Sequence, residues 1–199
     1  VGVEALAARG QTSTQGDAVD VFNTTQWPRT DLVTLPKDMK QAGEQVADAE
    51  GRPGPTQRLA SGELSFLATD VPAFGAKRFR LLPGPAKGDG SAKAAGHRLS
   101  TALLSVEVDA TTGAVKSLRR AGVDADFVDG KAPVAVNDFR YVLGTDAAGA
   151  KANGPATVTV LDAGPLVAAL RITSEAPGCR QHALPTDLNN AGAPCVSQR

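Results

Sequence analysis

The sequence predicts an all-β fold built as an antiparallel β-sandwich, a small sandwich followed by the first part of a larger one. Three observations carry this. Apolar residues recur with the period of two that suits strands rather than the 3.6 that suits helices. The 21 Gly and 13 Pro among 199 residues divide the chain into short runs bounded by turns. With only 4% aromatic residues, the core has to be assembled mainly from Val, Leu and Ala.

The clearest run is Leu103 to Leu118. Leu104, Val106 and Val108 fall on one face of a strand, and Ser105, Glu107 and Asp109 fall on the other, as in a sheet wet on one side. Asp109 to Gly113 forms the turn. Gly113 can take the left-handed conformation that closes a hairpin with a bulge, and Ala114 to Leu118 returns as the partner strand.

In chain order, Val1 to Arg9 is Ala-rich and reads as the last turns of a helix stopped by Gly10, too short to fold alone. Residues 1–16 are therefore a helical end and linker. Residues 17–83 form the small sandwich. Its strands are Ala18 to Asn23, with Val19 and Val21 on one face, and Asp31 to Leu35, which Pro36 ends. A hairpin follows with its tip at Glu50-Gly51-Arg52-Pro53, joining a strand near Gln45 to Ala49 to one near Thr56 to Leu59. Glu63 to Ala68 places Leu64, Phe66 and Ala68 together. After the turn Val71 to Gly75, the run Ala76 to Leu82 sends Phe79 and Leu81 inward, against a basic stripe of Lys77, Arg78 and Arg80 that reads as a solvated face.

Pro83 to Gly96 carries almost nothing that can be buried, so ordering it costs entropy without apolar gain. Residues 84–98 are accordingly the linker, and residues 99–179 are the first part of the larger sandwich. After the hairpin come a loop through Asp124 to Lys131, an extended run Pro133 to Leu143, and strands Thr157 to Leu161 and Leu166 to Thr173. In the last of these, Leu166, Ala168, Leu170 and Ile172 share a face. Residues 180–199 lose all periodicity and read as an irregular tail.

Lys+Arg and Asp+Glu both number 21, so no net field draws in nucleic acid or an anionic membrane. No run approaches the length of a membrane-spanning helix, and no basic-then-apolar leader is visible. Val1 in place of Met suggests a trimmed or excised chain. Cys179 and Cys195 fit either a disulfide or two free thiols.

Most catalytic constellations fail on inspection. There is no Gly-x-Ser-x-Gly elbow, no phosphate-binding Gly-rich loop and no His-Glu-x-x-His. Cys179, His182 and Cys195 offer three zinc-ligating types, but no fourth ligand is spaced to close a structural site, and a polar tail is the better reading. Asp124, Asp126 and Asp129 cluster, and paired carboxylates about 5 to 9 Å apart can divide the work of glycoside hydrolysis. A loop of Gly, Ala and Asp explains them more simply as a solvated turn. Asn137, Arg140 and Tyr141 combine amide, guanidinium and phenol on one extended segment, groups suited to sugar hydroxyls, and they are the candidate substrate contacts. An edge strand with ordinary surface polar residues is the competing reading. No catalytic residue and no metal ligand is assigned within this chain.

Three stretches together resemble the C-terminal β region of family 38 glycoside hydrolases, the zinc-dependent α-mannosidases. Val21-Phe22-Asn23-Thr24-Thr25-Gln26-Trp27-Pro28-Arg29 is similar to that family's opening strand and Phe-Asn-x-x-x-Trp-x-Arg turn. Val71-Pro72-Ala73-Phe74-Gly75-Ala76-Lys77 is similar to its approach to the last strand of the small β domain. Leu103 to Leu118 resembles the hairpin that opens its large sandwich. The resemblance implies a galactose-mutarotase-like large sandwich, and a non-catalytic part of an enzyme whose zinc and nucleophilic Asp lie in a catalytic barrel absent from this chain. No cofactor is then expected in this segment, and the partners are the remaining domains of the parent hydrolase, with carbohydrate as a further ligand. Residues 181–199 depart from the family pattern, and a large sandwich stopping there is expected to lack strands and expose apolar edges. The alternative is a stand-alone carbohydrate-binding or adhesion module, which needs an exposed aromatic platform from a chain with one Trp and one Tyr.

Overall fold

The computed structural model describes residues 18–39, 43–142 and 145–176. The helical end expected over residues 1–9, the tail over 180–199, and Cys179, His182 and Cys195 lie outside them. Among the described residues the chain is all-β, with every strand pairing antiparallel and one short 3-10 turn, Ala147–Gly149. None of the sheets among the described residues closes into a barrel. The chain divides into two compact units: one runs to Ser91 and includes Gly164–Val167, and the other comprises Ala92–Ala163 and the chain from Ala168 onward.

The first unit is a sandwich of two sheets. One sheet has the order β1-β7-β3-β4, from β1 (Ala18–Phe22), β3 (Gln45–Ala47), β4 (Pro53–Gly54) and β7 (Ala76–Leu82). The other has the order β2-β6-β5, from β2 (Arg29–Leu35), β5 (Thr56–Arg58) and β6 (Leu64–Val71). The alternation read from the sequence places the core. Leu64, Phe66, Ala68 and Val71 of β6 and Leu35 of β2 meet Phe79 and Leu81 of β7 and Val46 of β3, with Val19, Val21 and Val33 packed at the margin. Because each sheet sends its apolar face to the same cluster, burying one face requires the other.

Two expectations in this unit are corrected. The strand opposite Gln45–Ala47 is Pro53–Gly54, with Val46 facing Gly54, whereas Thr56–Arg58 crosses to the other sheet and pairs with Leu64–Phe66. Pro55 stands at the crossing and has no amide with which to continue a ladder. Lys77, read as part of an outward basic stripe, has the same strand parity as Phe79. Its ammonium lies 5.6 Å from the Phe79 ring centroid and donates to the Thr69 carbonyl at 2.8 Å.

Gln57 ties the distant segment Gly164–Val167 into this unit. Its buried side-chain amide donates from Nε2 to the Val167 carbonyl at 2.9 Å, and its Oε1 accepts from the amides of Leu166 and Val167, both at 2.8 Å. One side chain thus offers the segment a strand-like donor and acceptor.

The second unit has a four-stranded sheet in the order β11-β10-β9-β8, from β8 (Lys93–Ala95), β9 (Arg98–Ser100), β10 (Leu104–Val108) and β11 (Val115–Arg120). It also has two strand pairs, β12 (Arg140–Tyr141) with β13 (Lys151–Ala152) and β14 (Thr157–Ala163) with β15 (Ala168–Thr173). The expected hairpin is present. Val106 faces Leu118, the register shifts by a bulge between Glu107 and Val108, and Gly113 sits at φ 75°. A Cβ on Gly113 would strike the Ile172 side chain, so glycine serves both the turn and a close packing contact there.

The chain beyond Ser91 differs from expectation in four places. Lys93–Ala95, assigned to the linker, pairs with Arg98–Ser100. Within the run Pro133 to Leu143, the described residues contain only the two-residue strand Arg140–Tyr141 and an isolated bridge from Val136 to Val115. Leu166, counted with the last strand, lies in the preceding turn. Leu104 is 47% exposed although Val108 on the same face is buried. Leu103, Val134 and Val136 of this unit are also exposed.

Candidate functional site

The residues singled out for sugar contact lie around β12. Asp138 donates its amide to the Ala135 carbonyl at 3.1 Å, and Asn137 takes φ 60° in that turn, a left-handed conformation asparagine tolerates. The Asp138 carboxylate accepts from Arg140 Nε at 3.0 Å, holding the guanidinium against its own strand. Arg140 faces Ala152 and Tyr141 faces Lys151 across the ladder. Successive strand residues point to opposite faces, so Arg140 and Tyr141 do not converge on one sugar face.

Of the Asp124, Asp126 and Asp129 cluster, Asp126 and Asp129 are each engaged in local hydrogen bonds. Asp126 is a staple for the β11 edge. Its carboxylate accepts from Ser117 Oγ at 2.6 Å, the Leu118 and Val128 amides at 3.0 Å each, and Arg119 Nε at 3.2 Å. The Ser117 hydroxyl, then the two amides, hold its carboxyl well below the usual carboxylate range. A carboxylate so stabilised in its charged form is a poor general acid. Asp129 caps its own turn by accepting from the Lys131 amide at 2.9 Å.

Of the basic stripe, Arg78 forms a bidentate pair with Asp20 across β1 and β7, at 2.7 and 2.6 Å. The Arg78 hydrogen bond lowers the Asp20 carboxyl below its ordinary value. Among the described residues, no group of three or more His, Cys, Asp and Glu is placed to hold a metal ion, and no helix is long and apolar enough to cross a membrane.

A feature absent from the sequence reading lies on two loops of the first unit. Asn23 is buried at the end of β1, donating from Nδ2 to the carbonyls of Trp27 at 2.8 Å and Val71 at 3.1 Å. Its Oδ1 accepts from the Thr25 amide at 2.9 Å and the Thr25 hydroxyl at 2.7 Å. The second loop is bound to the first by Phe74 N donating to the Thr25 carbonyl at 3.0 Å and by Asn23 N donating to the Gly75 carbonyl at 2.8 Å. Gly75 N donates to the Pro72 carbonyl, which makes Pro72–Gly75 a β-turn with Phe74 at its third position, φ 47°. Phe74 is 73% exposed and Trp27 56% exposed. The turn itself was legible from Pro72 and Gly75; the strained residue within it was not.

The fold thus defines an all-β, antiparallel sandwich chain. Its structure is similar to that of an α-mannosidase from Enterococcus faecalis V583, with a TM-score of 0.54 at 14% identity over 79% of this chain. The chain spans only 23% of the length of that α-mannosidase chain. No family model and no curated protein matches the sequence.

Proposed function

We propose that this chain is the non-catalytic β-sandwich portion of an α-mannosidase-like glycoside hydrolase of the family 38 kind, supporting the domain that carries the chemistry. The single observation that most supports this is the structural similarity to a stretch amounting to 23% of an α-mannosidase chain, covering 79% of this one. The three ordered sequence stretches around Trp27, Phe74 and Gly113 point the same way, and so does the commitment of Asp126 to four internal hydrogen bonds. On this reading the zinc and the nucleophilic carboxylate belong to the remainder of the parent enzyme. Any contribution to the sugar site comes from Asn137 and one of Arg140 or Tyr141, since the two lie on opposite faces of β12.

The test is turnover of an aryl α-mannoside in the presence of zinc. The 199-residue chain should show none above buffer, and the full-length polypeptide that carries it should hydrolyse the substrate. Turnover by the chain alone, or none by the full-length polypeptide, overturns the proposal.

A further inference from the structure

Asn153 and Gly154 are the one Asn–Gly pair of the chain. A glycine has no Cβ to shield its own amide nitrogen, so that nitrogen can approach the carboxamide carbon of the preceding asparagine when the backbone allows it. Asparagine counts among the thermolabile residues. Two hydrogen bonds restrain the reaction here. Asn153 Nδ2 donates to Ser174 Oγ at 2.9 Å, and the Gly154 amide donates to the Glu175 carbonyl at 2.8 Å. The first holds the carboxamide and the second holds the nucleophile. Both acceptors belong to one dipeptide, Ser174–Glu175, which follows directly on β15 and lies outside its ladder.

That hold is incomplete. Asn153 Oδ1 is buried and accepts from no donor among the described residues. A buried oxygen left unmatched opposes the arrangement that buries it. The Asn153 amide reaches the Phe139 carbonyl only at 3.4 Å, beyond the usual range, just past the two-residue ladder in which Ala152 pairs with Arg140. Residues at the end of so short a ladder open locally at far lower cost than the whole unit unfolds.

We infer that Asn153–Gly154 is a self-modifying site gated by Ser174–Glu175. When the dipeptide lifts away, the Gly154 nitrogen attacks Asn153 Cγ. The new N–Cγ bond forms, the Cγ–Nδ2 bond breaks, and the Gly154 amide proton leaves with the side-chain nitrogen as ammonia. Water then opens the five-membered imide at either of its carbonyls, leaving aspartate or isoaspartate at position 153, with nothing oxidised or reduced. The change runs one way. A carboxylate brings negative charge to the place where Oδ1 has no donor, and isoaspartate also lengthens the backbone by one methylene. Ser174–Glu175 therefore does not redock on the product.

Peptide mapping of the 199-residue chain after incubation in warm, mildly alkaline buffer tests the inference. Cleavage after Lys151 and Arg171 isolates Ala152–Arg171, in which Asn153 is the only asparagine, so replacement of an amide by a carboxyl in that fragment is unambiguous. In the folded chain Asn153 should convert faster than Asn23, whose carboxamide is held by four hydrogen bonds, and more slowly than in the same fragment free in solution. Ser174→Ala removes the acceptor for the carboxamide and should speed conversion about two- to tenfold, the effect of one lost hydrogen bond. Asn153→Asp, which mimics the product, should speed hydrogen exchange at the Gly154 amide. Four results overturn the inference: conversion of Asn153 no faster than that of Asn23, equal rates in the folded chain and the free fragment, a Ser174→Ala rate equal to wild type, or unchanged Gly154 exchange in Asn153→Asp. The first two comparisons use the wild-type sequence, so they decide the matter even where a substitution unfolds the unit.

Discussion

Phe66 of β6 and Phe79 of β7 meet across the two sheets of the first unit, with ring centroids 5.2 Å apart and planes inclined at 57°. Each belongs to a different sheet, so this one contact joins the two halves of the sandwich. Tilted aromatic pairs add to the burial of their area, and Phe66 is among the largest fully buried side chains of the chain. Truncating it leaves a cavity between sheets that cannot collapse independently. Phe66→Ala should cost about 3–5 kcal/mol, and Phe66→Leu clearly less, in urea unfolding followed by circular dichroism. A loss within about 0.5 kcal/mol, the size of an ordinary surface substitution, would mean that the sheets are held together elsewhere.

Gln57 should matter nearly as much, by a different mechanism. Its amide makes three hydrogen bonds to Leu166 and Val167, and truncation strands two backbone amides and a carbonyl in a half-buried setting. Unsatisfied buried groups cost about 1–3 kcal/mol, so Gln57→Ala should lower stability by that order. Gln57→Glu keeps the acceptor and loses the donor, and should recover part of the loss. Amide hydrogen exchange supplies the local check: the Leu166 and Val167 amides should exchange faster in Gln57→Ala, with the β6 amides little changed.

How much of this was legible in the sequence depends on whether the determinant is local. Leu64, Phe66 and Ala68 on one strand and Phe79 and Leu81 on another declare their faces by alternation, and full burial enforces it. The hairpin around Gly113 is equally local, since the Asp109 carboxylate accepts from the Thr111 and Thr112 amides of its own turn. Gln57 finds its partners about a hundred residues away, and no periodicity announces that. Asp126 looked like one of three solvated aspartates because its donors, Ser117 and Leu118, sit on the adjoining strand. The transfer of Thr56–Arg58 to the second sheet hinges on Pro55, which the hairpin reading passed over. The opposed faces of Arg140 and Tyr141 follow from adjacency alone. What the sequence does not encode locally is the turn around Asn137 that sets them beside Asp138.

Gly113 offers a sharp test of backbone conformation in the second unit. At φ 75° an alanine is strained, and its methyl group would also meet Ile172. Gly113→Ala should therefore destabilise by more than the roughly 1–2 kcal/mol of a left-handed residue alone. Gly122, at φ 77° with open space around the position of its Cβ, is the control in which strain acts without a clash. If Gly113→Ala and Gly122→Ala prove equal in thermal unfolding, the Ile172 contact contributes nothing.

The Asp126 staple predicts how the second unit responds to acid. Its carboxyl is held below the ordinary range by Ser117 and by the Leu118 and Val128 amides, so the folded state prefers the charged form more strongly than the unfolded chain does. For such a group the unfolded state binds more protons than the native state over the window between the two pKa values. The stabilisation is complete above the unfolded value of about 4 and is lost as pH falls through the lower folded value. Asp126→Asn cannot titrate and places an amide where several donors converge. At pH 7 the variant should melt below wild type, and the difference between their midpoints should narrow on acidification below about pH 4, as wild type loses what the variant never had. A gap that stays constant from pH 7 to the acid limit would show that Asp126 acts through shape alone, without the charged hydrogen bonds that tie it to Ser117, Leu118 and Val128.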